Sequence, residues 1–258
     1  MKDLGLVSII TPSYNCANFI NETIESILSQ TYRNWELIIT DDCSTDNSRE
    51  IIQGYCDKDK RIKLLKLSKN SGAGVARNNS IKEALGRFIA FCDSDDRWYP
   101  DKLQKQLDFM TSTDCALSYT SYMTCDEDSK ITGIVVCRRK ETSNSIKRDD
   151  KIGCLTVIYD VHKIGKIFMP DIRKRQDWAF KIKALSICKE ALGMKEPLAL
   201  YRLRKNSLSN KKSALIKYNI SVYHSILGWS IVKSYLYFGF VFLPSYFLKR
   251  ASIKFINR

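Results

Sequence analysis

Four short apolar runs divide the first hundred residues, and each ends in a polar cluster. The runs are Val7-Ser8-Ile9-Ile10-Thr11, Trp35-Glu36-Leu37-Ile38-Ile39-Thr40, Ile62-Lys63-Leu64-Leu65-Lys66-Leu67 and Arg87 to Cys92. Runs of this length bounded by turn residues read as buried strands. Helical patterns separate them. Ile20, Ile24, Ile27 and Leu28 stand at i, i+4, i+7 and i+8, one face of a helix. Asp46 or Ser48 suits the N-cap of a helix carrying Ile51, Ile52 and Tyr55. A loop from Ser68 to Gly74 leads into a third helix, through about Leu85. Alternating strand and helix predicts an α/β domain with a mostly parallel central sheet and helices on both faces.

The rest of the chain is less regular. Leu103, Leu107 and Met110 predict a helix after Pro100. Strands are expected near 115–123, 131–138 and 154–160, and a helix from Gln176 to Leu192. The polar stretch 140–151 reads as a surface loop. The main domain is expected to span 1–210, with one half to about 100 and a second half beyond it. Residues 211–258 form a basic, aromatic-rich helical tail.

Charge separates these regions. The net charge is +14, yet eleven of the 42 Lys and Arg residues lie from Pro197 onward and none of the 28 acidic residues does. The body is therefore nearly neutral and the tail basic. Ile226 to Leu248 carries one charge, Lys233, and seven aromatics crowd between Tyr235 and Phe247. An aromatic, basic tail predicts helices lying in an anionic membrane interface, with packing on the body of the chain as the competing expectation. Nine scattered cysteines without C-x-x-C spacing predict reduced thiols in a cytoplasmic protein. Two histidines exclude a His-rich zinc site, so a metal must sit on oxygen.

The acidic residues of the body point to chemistry. Ligands of open parallel sheets bind at the carboxyl ends of strands. Three polar clusters fall there: Pro12-Ser13-Tyr14-Asn15, Asp41-Asp42-Cys43-Ser44 and Asp93-Ser94-Asp95-Asp96. Crowded carboxylates repel one another unless a cation compensates them. A hard cation, Mn²⁺ or Mg²⁺, held by one or two carboxylates and a substrate diphosphate, suits that arrangement. Neither G-x-G-x-x-G nor G-x-x-x-x-G-K-[ST] follows the first strand, which disfavours a dinucleotide oxidoreductase and a P-loop NTPase. The acidic clusters also disfavour a nucleic-acid partner.

VSIITPSYN (7–15), ETIESILSQTYRNWELIITDDCSTDNS (22–48), NSGAGVARNNSIKEALGRFIAFCDSDD (70–96) and RQDW (175–178) stand in order along the chain. They resemble the family 2 glycosyltransferases of the GT-A fold. With Gly153-Cys154-Leu155-Thr156-Val157 and Met169-Pro170, they look like bacterial transferases of capsule, O-antigen and teichuronic-acid assembly. The resemblance covers roughly the first 205 residues. It implies a UDP-sugar donor, glucose or galactose, and a polyprenyl-diphosphate-linked saccharide acceptor. It further implies that Asp42 accepts the uracil N3–H, with Thr11, Pro12 and Tyr14 lining the base and Asp41 a weaker candidate. Ser71 and Gly72 would approach the donor, and Arg77 and Ser94 would contact it. Asp93 would meet the ribose or a metal-bound water, and Asp95 the metal. Asp177 would be the base of inverting transfer. Arg175, Gln176 and Trp178 would face the acceptor. Relatives often carry Glu before that Asp; Gln176 leaves Asp177 as the site's one carboxylate. Tyr201-Arg202 and Ser207-Leu208-Ser209 resemble the family's closing loop. The alternatives are a sugar-nucleotide-forming nucleotidyltransferase, for which Thr11–Asn15 lacks a basic Gly-rich loop, and a non-catalytic nucleotide-sugar-binding module. The protein is expected at the cytoplasmic face of the plasma membrane.

Overall fold

The structure is a computed structural model that describes residues 3–204, 212–251 and 254–255. The sequence alternation becomes β1 (Val7–Ser13), α1 (Ile20–Leu28), β2 (Trp35–Asp41), α2 (Ser48–Lys58), β3 (Ile62–Lys66), α3 (Ala73–Glu83) and β4 (Phe88–Phe91). These four strands pair in parallel in the order β3-β2-β1-β4. Their side chains alternate between two cores, as the period of two requires. Val7, Ile9, Leu37 and Ile39 pack with Ile20, Ile24 and Ile27 of α1. Ile10 and Ile38 face the opposite layer with Ile81 of α3. Burial on both faces explains why β1, β2 and β4 read as nearly continuous apolar runs, whereas β3 at the sheet edge is only partly buried.

Beyond β4 the sheet becomes mixed. β5 (Arg97–Trp98) and α4 (Lys102–Thr113) precede β6 (Leu117–Cys125) and β7 (Ile131–Val135). β9 (Ile158–Asp160) runs antiparallel between β4 and β6. The expected loop at 140–151 instead holds β8 (Lys140–Thr142) and α5 (Ser143–Arg148). Its polar residues form a capping box: the Ser145 N–H donates to the Thr142 hydroxyl and the Thr142 N–H to that of Ser145. Its single aliphatic residue, Ile146, is fully buried.

After α6 (Val161–Ile164), α7 (Gln176–Cys188) stops four residues before the expected Leu192. Lys189 adopts φ 68° and turns the chain into β10 (Glu190–Arg202), which the sequence pattern did not predict. β10 runs parallel to β6 with register shifts between Met194 and Pro197 and between Pro197 and Leu200. Gly193 permits the pairing, because a Cβ there would lie 2.0 Å from the Arg138 carbonyl oxygen.

The tail comprises α8 (Lys212–Ser221), α9 (Ile231–Tyr237), α10 (Leu243–Ala251) and the two-residue β11 (Lys254–Phe255). Wider π-type turns lie at Val222–Ile226 and Phe238–Phe242. The tail has two different faces. Ile220, Val222, Tyr223, Phe238 and Phe242 are buried in the core that contains α7. Val232, Leu236, Phe240, Phe247 and Leu248 are exposed. By length and composition Ile231–Leu248 is apolar enough to cross a membrane.

Candidate active site

The polar clusters after β1, β2 and β4 meet on one edge of the sheet. The Asp42 N–H donates to the Ser13 carbonyl at 2.8 Å. The Asn15 N–H donates to the Ser44 hydroxyl, and Asn15 Oδ1 accepts the Thr45 N–H at 2.9 Å. Asn15 and Cys43 hold positive φ angles of 45° and 64°. Such conformations are costly for residues other than glycine and concentrate at functional sites.

Asp41 and Asp42 have different tasks. Asp41 is fully buried and accepts from the Ser44 N–H, the Ser44 hydroxyl and Arg49 Nε. It fastens the turn with both oxygens taken by Ser44 and Arg49, which corrects its place among the binding candidates; Asp42 is nearly as buried, 3% exposed, and differs in its partners. Asp42 accepts the Ser71 N–H at 2.6 Å on one oxygen and the Gly72 N–H at 2.7 Å on the other. Each oxygen keeps a second lone pair. Gly72 adopts φ 92°, which a side chain would strain. Thr11 and Pro12 are buried within β1, so they offer the edge no side-chain surface; Tyr14 beside them is 46% exposed.

Arg77 projects from α3 and pairs with Asp93 at 2.5 Å. The guanidinium is buried, yet the Asp93 and Asp177 charges raise its pKa. Asp95 pairs with Arg204 at 3.2 Å, and Ser94 is buried between the two carboxylates in sequence. Burial and the neighbouring Asp93 push the Asp95 carboxyl above its ordinary range. Asp96 points inward, accepts the Arg202 N–H, and is raised further by burial and by Asp95 and Asp93. No group of three His, Cys, Asp or Glu among the described residues is arranged to hold a metal alone. Asp93 and Asp95 are oxygen donors of the kind a hard divalent cation takes, and in this structure each pairs with an arginine, Arg77 and Arg204.

Asp177 lies in the first turn of α7 after Arg175, whose φ is 66°. Burial would raise its carboxyl, but Lys181, Arg77 and Arg175 outweigh burial and hold it well below the usual range. Lys181 is itself buried, 3.2 Å from Asp177 and paired with Asp150 at 2.7 Å. Asp177 keeps 31% of its side chain exposed and lies near enough to Arg77 for their charges to interact. Gln176 is buried against α3: a Cβ on Gly74 would lie 3.2 Å from its Cγ. Trp178 corrects the expectation of a sugar-stacking ring. It has no exposed surface, donates to the Ile146 carbonyl at 2.7 Å, and packs edge-on to Tyr223 with centroids 5.5 Å apart.

Sequence reasoning missed Glu22 and Arg204 and misplaced Arg202. Tyr201 and Arg202 belong to β10, not to a loop; Ser207-Leu208-Ser209 lie outside the described residues. Buried Arg202 donates to the Asp95 carbonyl, the Glu127 carbonyl and the Ser129 hydroxyl, and pairs with Glu22 at 2.9 Å. It thereby fixes the backbone of the acidic loop. An acid-free end with Arg202 and Arg204 two residues apart, opposite an acidic loop, was the available signal.

A parallel sheet edge with paired acidic loops, facing a separate carboxylate on a helix N-terminus, defines a nucleotide-sugar transferase of the GT-A type. The chain belongs to glycosyl transferase family 2, whose model matches residues 8–163, and it is a glycosyltransferase. A Bacillus subtilis (strain 168) protein named for teichuronic acid biosynthesis, TuaG, is 45% identical over 86% of this chain and 88% of its own. WfgD of Escherichia coli, named as a UDP-Glc:alpha-D-GlcNAc-diphosphoundecaprenol beta-1,3-glucosyltransferase, is 39% identical over 82% of this chain and 83% of its own. Among solved structures, S. aureus TarS 1–349 in complex with UDP-GlcNAc superposes with a TM-score of 0.72 at 23% identity, over 85% of this chain and 65% of that one.

Proposed function

We propose that the protein is an inverting, metal-dependent hexosyltransferase of bacterial surface polysaccharide synthesis. It moves glucose or galactose from a UDP-sugar to a polyprenyl-diphosphate-linked saccharide. The observation that carries the reading is Asp177, partly exposed, salt-bridged to Lys181 and near Arg77 of the donor edge. Glucose is favoured by the resemblance to a glucosyltransferase.

Asp42 accepts the uracil N3–H through its spare lone pairs while Ser71 and Gly72 hold it in place. Tyr14 flanks the base. Arg77 and Asp93 reach the ribose and diphosphate. Asp93 and Asp95 would hold the metal, which as a Lewis acid stabilises the charge of the departing diphosphate. Asp177 accepts the acceptor hydroxyl proton as that oxygen bonds to the anomeric carbon. The bond from the anomeric carbon to the UDP oxygen breaks with its electron pair on UDP. An α-linked donor therefore gives a β-glycoside. Arg175 and Gln176 border the acceptor side.

The tail lies on an anionic cytoplasmic membrane surface through Phe240, Phe247 and Leu248, which are exposed in a segment whose sequence is basic and free of acidic residues. The test is transfer from UDP-glucose to a synthetic prenyl-diphosphate N-acetylglucosamine, with product mass and anomeric configuration measured. EDTA is expected to abolish it and Mn²⁺ to restore it; Asp95→Ala is expected to be inactive under both conditions. Turnover indifferent to chelator, or an α-linked product, sinks the corresponding part of the reading.

A further inference from the structure

A crevice of about 540 Å³ opens beside α3, and Ser71 and Gly72, whose N–H groups hold Asp42, are part of its lining. Val75, Phe168, Met169 and Ile172 give it an apolar wall; Lys82 and Arg173 stand in its lining, with Asp171 as the only acid there. Its wall is a built feature. The Asn78 side chain accepts the Met169 N–H at 2.7 Å and donates to the Met169 carbonyl at 2.8 Å, clamping the 168–173 segment against α3. The Lys166 ammonium donates to the Lys82 carbonyl at 2.9 Å.

Its place matters more than its volume. Gly74 lines the crevice, and the side chain of Gln176 packs directly on Gly74, one residue before Asp177. The segment that forms one wall runs through Arg173, Lys174 and Arg175 into the same catalytic turn. The Lys174 ammonium lies 6.0 Å from the Tyr218 ring of α8, so the segment also reaches the tail. An apolar wall with a basic rim, between the catalytic carboxylate and the tail, matches an amphiphile with an anionic head.

We propose that this crevice binds the prenyl diphosphate of the acceptor, with the diphosphate on Lys82 and Arg173 and the first isoprene units along Val75, Phe168 and Ile172. The proposal rests on the lipid-linked acceptor proposed above. A short saccharide on that diphosphate then reaches Asp177 across Gly74 and Gln176. The crevice is an acceptor subsite that adjoins the donor side at Ser71 and Gly72.

The test uses the full chain and farnesyl diphosphate as probe, with binding measured by calorimetry in the absence of donor. Val75→Trp fills the crevice from an exposed helix position, and Lys82→Glu reverses its rim charge; neither residue belongs to the catalytic or donor machinery. Each is expected to weaken farnesyl diphosphate binding about tenfold or more, since each removes apolar contact or a charge-assisted pair. The KM for lipid-linked acceptor should rise in parallel, with UDP affinity, donor KM and flotation on phosphatidylglycerol vesicles unchanged. Wild-type affinity for farnesyl diphosphate in both variants overturns the proposal. So does a loss of vesicle flotation equal to the loss of probe binding, which would make the crevice a phospholipid contact. Retained acceptor KM in both variants, with the wild type active on the lipid-linked acceptor, removes the crevice but leaves the proposed activity standing. A wild type that ignores farnesyl diphosphate and glycosylates the free saccharide equally well removes both.

Discussion

The donor edge and the catalytic turn are held by different means. At the donor edge, support is short-ranged in space and largely main-chain: Asp42 rests on two N–H groups, Asp41 on its own turn, Asn15 on Ser44 and Thr45. Asp177 depends on distant side chains. Lys181 links it to Asp150, and the adjacent Trp178 is wedged against Tyr223 and Phe242 of the tail. Nucleotide recognition therefore belongs to the parallel sheet, whereas the position of the base belongs to the later elements packed on it. Damage to the second set should spare UDP binding.

The largest separation is expected from Asp177→Asn, which keeps the shape and loses the proton acceptor. Turnover should fall by about 10²–10⁴, with UDP affinity retained in calorimetry; lost UDP affinity with normal turnover would move Asp177 to the donor site. Lys181→Met comes next. It leaves two carboxylates without their buried cation, and urea unfolding should show a loss of about 3–5 kcal/mol. The pH behaviour follows from the sign of the Asp177 shift. Its depressed carboxyl adds stability above the ordinary carboxylate range, and that stability is lost as pH falls through the depressed folded value. In the variant, burial is no longer opposed by Lys181, so the acid limb of kcat should move up toward neutral pH. An unmoved limb would show that Lys181 does not tune the base.

Phe242→Ala probes the tail side of the comparison. A buried phenylalanine removed from the Trp178 contact should cost about 3 kcal/mol in thermal unfolding. Turnover should drop while UDP affinity holds; equal losses of both would mean the two regions are not independent. The smallest effect is on the other side. Asp42→Asn loses one charged acceptor, so UDP binding should weaken by about 1.5–3 kcal/mol with little change in the rate at saturation. A rate defect at saturating donor would count against the division.

The same contrast explains what the sequence made legible. β1, β2 and β4 announce themselves as apolar runs, and α1 and α4 as periodic apolar faces. The acidic strand ends follow, since a parallel sheet aligns them. β10 was hidden because Gly193 and Lys195-Glu196-Pro197 break its period, and only pairing with β6 makes it a strand. The helix α5 was hidden by its polar composition. Trp178 looked like a ligand surface because nothing local reveals that residues 223 and 242 cover it. Asp41 and Asp42 are adjacent and alike in sequence; only the direction of each side chain, one into the turn and one toward Ser71 and Gly72, separates anchor from candidate ligand.

The two carbonyls that close α5 have a further consequence. Trp178 of α7 donates to Ile146 and Tyr223 of the tail donates to Lys147 at 2.8 Å, so one short helix is terminated jointly by two later parts of the chain. A helix end needs partners for its last carbonyls, and here they arrive from 32 and 76 positions downstream. Exchange of segments between relatives is constrained accordingly. A crossover at residue 210, where the tail looks like a separable appendage, would bring a foreign partner to Lys147. A crossover before β8 transfers helix, tryptophan and tyrosine together. The inheritable unit is thus α5, α7 and tail, and its seam lies some seventy residues upstream of the apparent one.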